Sequence, residues 1–141
     1  MRLMLSIYLR RYPFSLLTVL LITALSLLPI GNVEIAKDVP FADKWTHMVM
    51  YGILTLVIWV EYLRHHRRIQ RSRLILFAFI APIAMSGLME LLQAYATTYR
   101  SGEWLDLAAN STGVCLGTAI GYGLFLFRRK TAKPAPEEQA S

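Results

Sequence analysis

KWTHMVMYGILTLVIWVEYL, residues 44–63, decides how this chain folds. At 1.5 Å per residue a helix of this length spans about 30 Å, the hydrocarbon thickness of a bilayer. Its only strongly polar groups lie at its two ends, and Arg64, Arg67 and Arg68 follow it. A stretch of this kind reads as a membrane helix. Three more segments meet the same length and apolarity or come close, at about 14–28, 74–95 and 105–127. The first is the shortest and could borrow length from residues 7–12. Four crossings use most of the 141 residues. With 55% hydrophobic residues and a mean hydropathy of +0.43, the chain is too apolar for a soluble domain. The expected fold is all-α, a single integral membrane bundle of four transmembrane helices over residues 1–130, with a disordered tail over 131–141.

The distribution of charge sets the orientation. Arg2, Arg10 and Arg11 precede the first segment. Arg64, Arg67, Arg68, Arg71 and Arg73 lie between the second and third, and Arg128, Arg129, Lys130 and Lys133 follow the fourth. Only Lys37, Lys44 and Arg100 fall on the other side. By the positive-inside rule both termini and the middle loop are cytoplasmic, and the protein is a multi-pass protein of the cytoplasmic (inner) membrane. Basic runs that flank apolar spans are topology signals, so no nucleic-acid partner is expected. The N-terminus resembles a signal peptide, but no small-x-small cleavage site follows Leu28, and the first helix is expected to be retained.

Breakers punctuate the chain between these segments. Pro29, Gly31 and Asn32 end the first helix, and Pro40 closes the outer loop before Asp43, a candidate N-cap or first-turn acid. Pro82 falls inside the third helix as a kink, which membrane helices tolerate. Ser101 is a candidate N-cap for the fourth, with Glu103 in its first turn. The lone Cys115 is expected as a small buried apolar residue. His65 and His66 sit in an arginine run, which makes them poor metal ligands.

Ionisable groups in membrane helices are expensive, about 2.5–3.5 kcal/mol each at mid-bilayer on insertion scales, and usually mark a site. Asp43, Lys44, His47, Glu90, Gln93, Arg100, Asp106 and Asn110 all fall at the extracytoplasmic ends of the second, third and fourth helices or the loop between them. Asp43 and His47 share a helical face that continues to Tyr51. Ser86, Glu90 and Gln93 share another. Asp106, Asn110, Gly113 and Gly117 form a third. The expected picture is three polar stripes converging on one outward-facing pocket, with Arg100 at its rim. The bland alternative is that the charges pair to lock the bundle, for example Lys44 with Glu90 or Arg100 with Asp106. Gly113, Gly117 and Gly121 would admit a close neighbour, either a helix of the same chain or a second protomer in a homodimer.

Taken in order, Asp43-Lys44-x-x-His47, Glu90-x-x-Gln93, Arg100 and Asp106-x-x-x-Asn110-x-x-Gly113 resemble the VanZ-like membrane protein family over about residues 43–121. The family usually has an aromatic residue after the histidine, where this chain has Met48. Many members have proline before the arginine, where this chain has Tyr99. The resemblance implies a small multi-helix integral membrane protein, and through the family's named member a link to low-level teicoplanin resistance. It implies a class and no reaction.

The leading functional expectation is a pocket that binds an anionic cell-envelope component, such as a cell-wall precursor or its lipid carrier, and influences envelope or glycopeptide-antibiotic susceptibility. Lys44 and Arg100 would contact phosphate or carboxylate, while Glu90, Gln93 and Asn110 orient them. Membrane lipids are the other expected partners. An enzyme acting on an envelope lipid, with His47 as the candidate catalytic acid/base, is the first alternative. A structural bundle or a small transporter subunit titrating Glu90 is the next. With one histidine in the site and no His/Cys cluster, neither metal nor cofactor is expected.

Overall fold

The computed structural model describes residues 1–27, 42–96 and 104–132, without the side chains of residues 42, 43 and 96. Among these residues every regular element is helical. Helix α1 is Arg2–Arg11, α2 Pro13–Leu27, α3 Ala42–His65, α4 Arg71–Ile75, α5 Ala81–Ala96 and α6 Trp104–Thr131, with a π-helical turn, Leu76–Ile80, joining α4 to α5.

The first bend follows from one dipeptide. A residue before proline is pushed out of the helical region, and Tyr12 takes φ −127° and ψ 50°. Pro13 then opens α2 at its first position, where a missing N–H removes no helical bond. The two helices meet at 93°. Residues 7–12 therefore join the first span only across a sharp bend, not as a straight extension of it. The amide groups exposed at the start of α2 are met by Glu61 from α3. Its carboxylate accepts from Phe14 N at 2.8 Å and Ser15 N at 2.9 Å, and also from the Ser15 hydroxyl. Negative charge at a helix N-terminus is stabilising, and charge-assisted bonds are the strong ones. At its other end α2 is tied to α5, where Gln93 Nε2 donates to the Ser26 carbonyl at 2.9 Å.

Helix α3 is the hub. Its buried face runs His47, Tyr51, Leu54, Thr55, Trp59 and Tyr62, the spacing of one helical stripe. Against it lies the buried seam of α6, which runs Asp106, Asn110, Gly113, Val114, Gly117 and Gly121. The approach is close enough to need glycine. A Cβ on Gly113 would fall on the Met48 carbonyl, one on Gly117 would lie 2.6 Å from the Gly52 carbonyl, and one on Gly121 would enter the Trp59 indole. The glycine face is thus filled by α3 of the same chain, the first of the two neighbours the sequence left open.

Pro82 is accommodated by the wider π turn just before it, so that Arg71–Tyr95 continues as one span. A proline lacks the N–H and crowds the carbonyl four residues back, and a π turn is one way to relieve both. Cys115 is exposed on the outer face of α6, not buried as expected. The seam of this helix is taken by its glycines, and position 115 points away from it.

The segments Lys44–His65 and Arg71–Tyr95 are long and apolar enough to cross a membrane, with mean hydropathies of 1.4 and 2.1, and the bent pair α1–α2 makes a third if counted as one span. The expected fourth crossing, 105–127, lies in α6. That helix has 28 residues, but its seam of glycines and its Asn110, Ser111 and Thr112 dilute its apolar character. Outward faces carry exposed leucines and isoleucines throughout, including Leu17, Leu20, Ile53, Ile75, Leu88, Leu91, Leu116 and Ile120. So large a contiguous apolar surface is far outside what a water-soluble monomer shows, and it makes this a membrane protein. Trp45, Tyr95 and Trp104 are exposed at one end of the bundle, where interfacial aromatics belong. Arg64, Arg67, Arg68, Arg71, Arg73, Arg128 and Arg129 lie at the other.

Candidate functional site

The site is built at the aromatic end, from the start of α3, the last turns of α5 and the start of α6. Asp106 is in the first turn of α6, where the helix dipole favours an acid. Lys44, in the first turn of α3, meets that dipole unfavourably and is compensated by a carboxylate: Lys44 Nζ donates to Asp106 Oδ1 at 3.2 Å. Asp106 is 5% exposed at its side chain and Lys44 22%, so the pair is largely taken out of solvent.

One turn into α3, His47 is buried. It gathers with Glu90 of α5 and Asp106 of α6: one ligand-type atom from each of the three lies within 4.8 Å of the other two. The convergence expected of the three stripes is therefore present for Lys44, His47, Glu90 and Asp106. Below them, Asn110 Nδ2 donates to the Ser86 hydroxyl at 2.7 Å, which pins α6 to α5. Gln93 is buried, and its amide is engaged with Ser26 at the end of α2. The side chain of Asp43, second residue of α3, and all of Arg100 lie outside the described residues, as do Ser101 and Glu103.

Two polar atoms in this region, Tyr51 Oη and Asn110 Oδ1, are buried without a hydrogen-bond partner among the described residues. Tyr51 lies one turn below His47 and within electrostatic reach of Glu90. A buried unsatisfied donor or acceptor costs about 1–3 kcal/mol. Such groups are ordinarily met by water or a ligand.

His47, Glu90 and Asp106 also make a donor set of the histidine-plus-carboxylate kind that takes divalent ions; the sequence reading brought the three together but looked for metal only in a His/Cys cluster. The Lys44 ammonium beside Asp106 supplies positive charge there already and would repel a second cation. Chemically the cluster can do two things. It can hold an anionic group against Lys44, and it can move a proton through an imidazole flanked by carboxylates.

Glu61 was missed by sequence reasoning, which noted polar groups at the ends of the 44–63 segment without singling it out. It is buried near the arginine end, and its signal was only that of an acid close to a loop. No family model, curated protein or solved structure matches this chain.

Proposed function

We propose that this chain is a VanZ-like protein of the cytoplasmic membrane, crossing four times with both ends inside. Its aromatic end forms an extracytoplasmic site for an anionic cell-envelope component. The observation that carries this reading is the convergence of Lys44, His47, Glu90 and Asp106 from three helices onto one spot, His47 and Asp106 buried and Lys44 and Glu90 half-buried, with Lys44 held 3.2 Å from Asp106. Apolar residues would pack the same bundle with less desolvation. The buried Tyr51 hydroxyl and Asn110 carbonyl oxygen support it, since a polar ligand would satisfy them. Lys44, joined by Arg100, would exchange its carboxylate for the phosphate or carboxylate of the ligand. A cell-wall precursor or its lipid carrier has that chemistry, and altered envelope-antibiotic susceptibility would follow from its capture.

The grouping of His47 with two carboxylates favours one second reading, an enzyme in which His47 acts as acid/base on an envelope lipid with Glu90 orienting it. Complementation of a deletion strain, scored by envelope-antibiotic sensitivity with membrane levels checked, tests both. For the binding reading, Lys44→Ala and Asp106→Asn accumulate but lose function, and the purified protein binds an envelope lipid without consuming it. Turnover abolished by His47→Ala would replace binding with catalysis. Variants that are fully functional would overturn both.

A further inference from the structure

The opposite end of the molecule carries a second feature, independent of the polar cluster. Toward the arginine end α6 diverges from α4, and a cleft of about 1120 Å³ opens between them. Its rim holds Arg67, Arg68, Arg71, Arg128 and Arg129. Its walls are apolar, with Leu74 and Ala78 on one side and Tyr122 and Phe125 on the other, and it ends at Trp59 and Thr118. Arg128 is used structurally: its guanidinium donates to the Leu63 carbonyl and, at 3.5 Å, to the His66 carbonyl, closing the end of α3. The side chains of Arg67, Arg68, Arg71 and Arg129 are exposed. Glu61, the buried acid at this end, is committed to the start of α2.

The dimensions are those of one leaflet. From Thr118 to Arg128 the helix rises about 15 Å, half of a hydrocarbon core of about 30 Å. Trp59 is 4% exposed, and its indole N–H has no acceptor among the described residues. The Thr118 hydroxyl is likewise buried without a partner among them. A buried tryptophan N–H usually finds one. A cationic rim over an apolar slot of leaflet depth, with an unanswered donor in its wall, is complementary to a phosphate head carrying acyl chains.

We propose that this cleft is a specific site for an anionic phospholipid of the leaflet on the arginine side, its phosphate on Arg71 and Arg129 and an acyl chain along Tyr122, Phe125 and Leu74. Basic pockets between membrane helices on the cytoplasmic side are suited to such head groups.

Trp59 is a built-in reporter. In a Trp45→Phe/Trp104→Phe background, which alters only exposed residues at the far end, its fluorescence is titrated with phosphatidylglycerol bearing brominated acyl chains, and separately with brominated phosphatidylcholine. Expected is saturable quenching at a far lower mole fraction of phosphatidylglycerol. Arg71→Ala/Arg129→Ala should move that half-point by about twenty-fivefold, each arginine at a membrane surface contributing a factor of about five. Both side chains are exposed, so helical content and elution should not change. Raised salt on the Trp45→Phe/Trp104→Phe protein with both arginines intact should weaken quenching in the same way, which guards against a misfolded variant. Equal quenching by the two lipids, or an unchanged half-point in the arginine variant, would overturn the site and leave ordinary lipid contact. Displacement by inorganic phosphate alone would overturn the lipid assignment. Failure of either lipid to quench in a protein that elutes as a dimer would assign the cleft to a second copy.

Discussion

Replacing Gly113 with alanine tests the closest contact in the bundle. The added Cβ would land on the Met48 carbonyl and lie 3.1 Å from the Gly52 amide nitrogen. Backbone on both sides cannot rotate away, so α3 and α6 must separate. Overpacking of this kind costs about 1–3 kcal/mol. The separation adds a second penalty. A gap of 0.5–1 Å forfeits a quarter to a half of each atom contact worth about 0.1–0.2 kcal/mol, which for the roughly 50 contacts of a residue such as Leu54 is about 2 kcal/mol. Gly123, on the same helix, is the control, because a Cβ there meets nothing within 4 Å. Both alanines gain the same helix propensity, about 0.5–1 kcal/mol. Gly113→Ala should therefore be less stable than Gly123→Ala by about 3–5 kcal/mol, the sum of the two penalties. Gly123→Ala itself should be neutral or slightly stabilising. Unfolding by SDS titration in mixed micelles, followed by far-ultraviolet circular dichroism, gives the comparison. Equal midpoints for the two variants would refute the α3–α6 seam.

Three further outcomes are expected. Glu61→Gln keeps the shape but loses the charge that caps α2, and should destabilise by about 2–3 kcal/mol, with faster hydrogen exchange at the Phe14 and Ser15 amides; unchanged exchange would remove Glu61 from that role. Lys44→Met strands a buried carboxylate and should destabilise more than Lys44→Met/Asp106→Asn, with a coupling of about 1–3 kcal/mol in a double-mutant cycle; additive effects would mean the pair is not formed. With Cys115→Ala as background, a membrane-impermeant maleimide applied to intact cells should label Trp45→Cys and not Ser72→Cys, and the reverse pattern would invert the orientation proposed from the arginines.

The sequence by itself determined the class of this protein. Apolar segments near 20 residues long have one stable home, because a backbone in lipid must satisfy its own hydrogen bonds and a helix does so within one segment. Helical spacing also placed His47 with Tyr51, Glu90 with Ser86, and Asp106 with Asn110 and Gly113, since i, i+3 and i+4 positions share a face whatever the fold. Spacing within a helix says nothing about which face meets which. That Lys44 takes Asp106, that Asn110 reaches Ser86, and that His47, Glu90 and Asp106 fall within 4.8 Å depends on how α3, α5 and α6 cross, a matter of packing among residues on separate helices. The same holds for Glu61 and Cys115. In the chain one is an acid near a loop and the other a small thiol in an apolar run. Only the placement of α2 against α3 turned the first into a buried cap, and only the glycine seam of α6, by claiming the opposite face, turned the second outward.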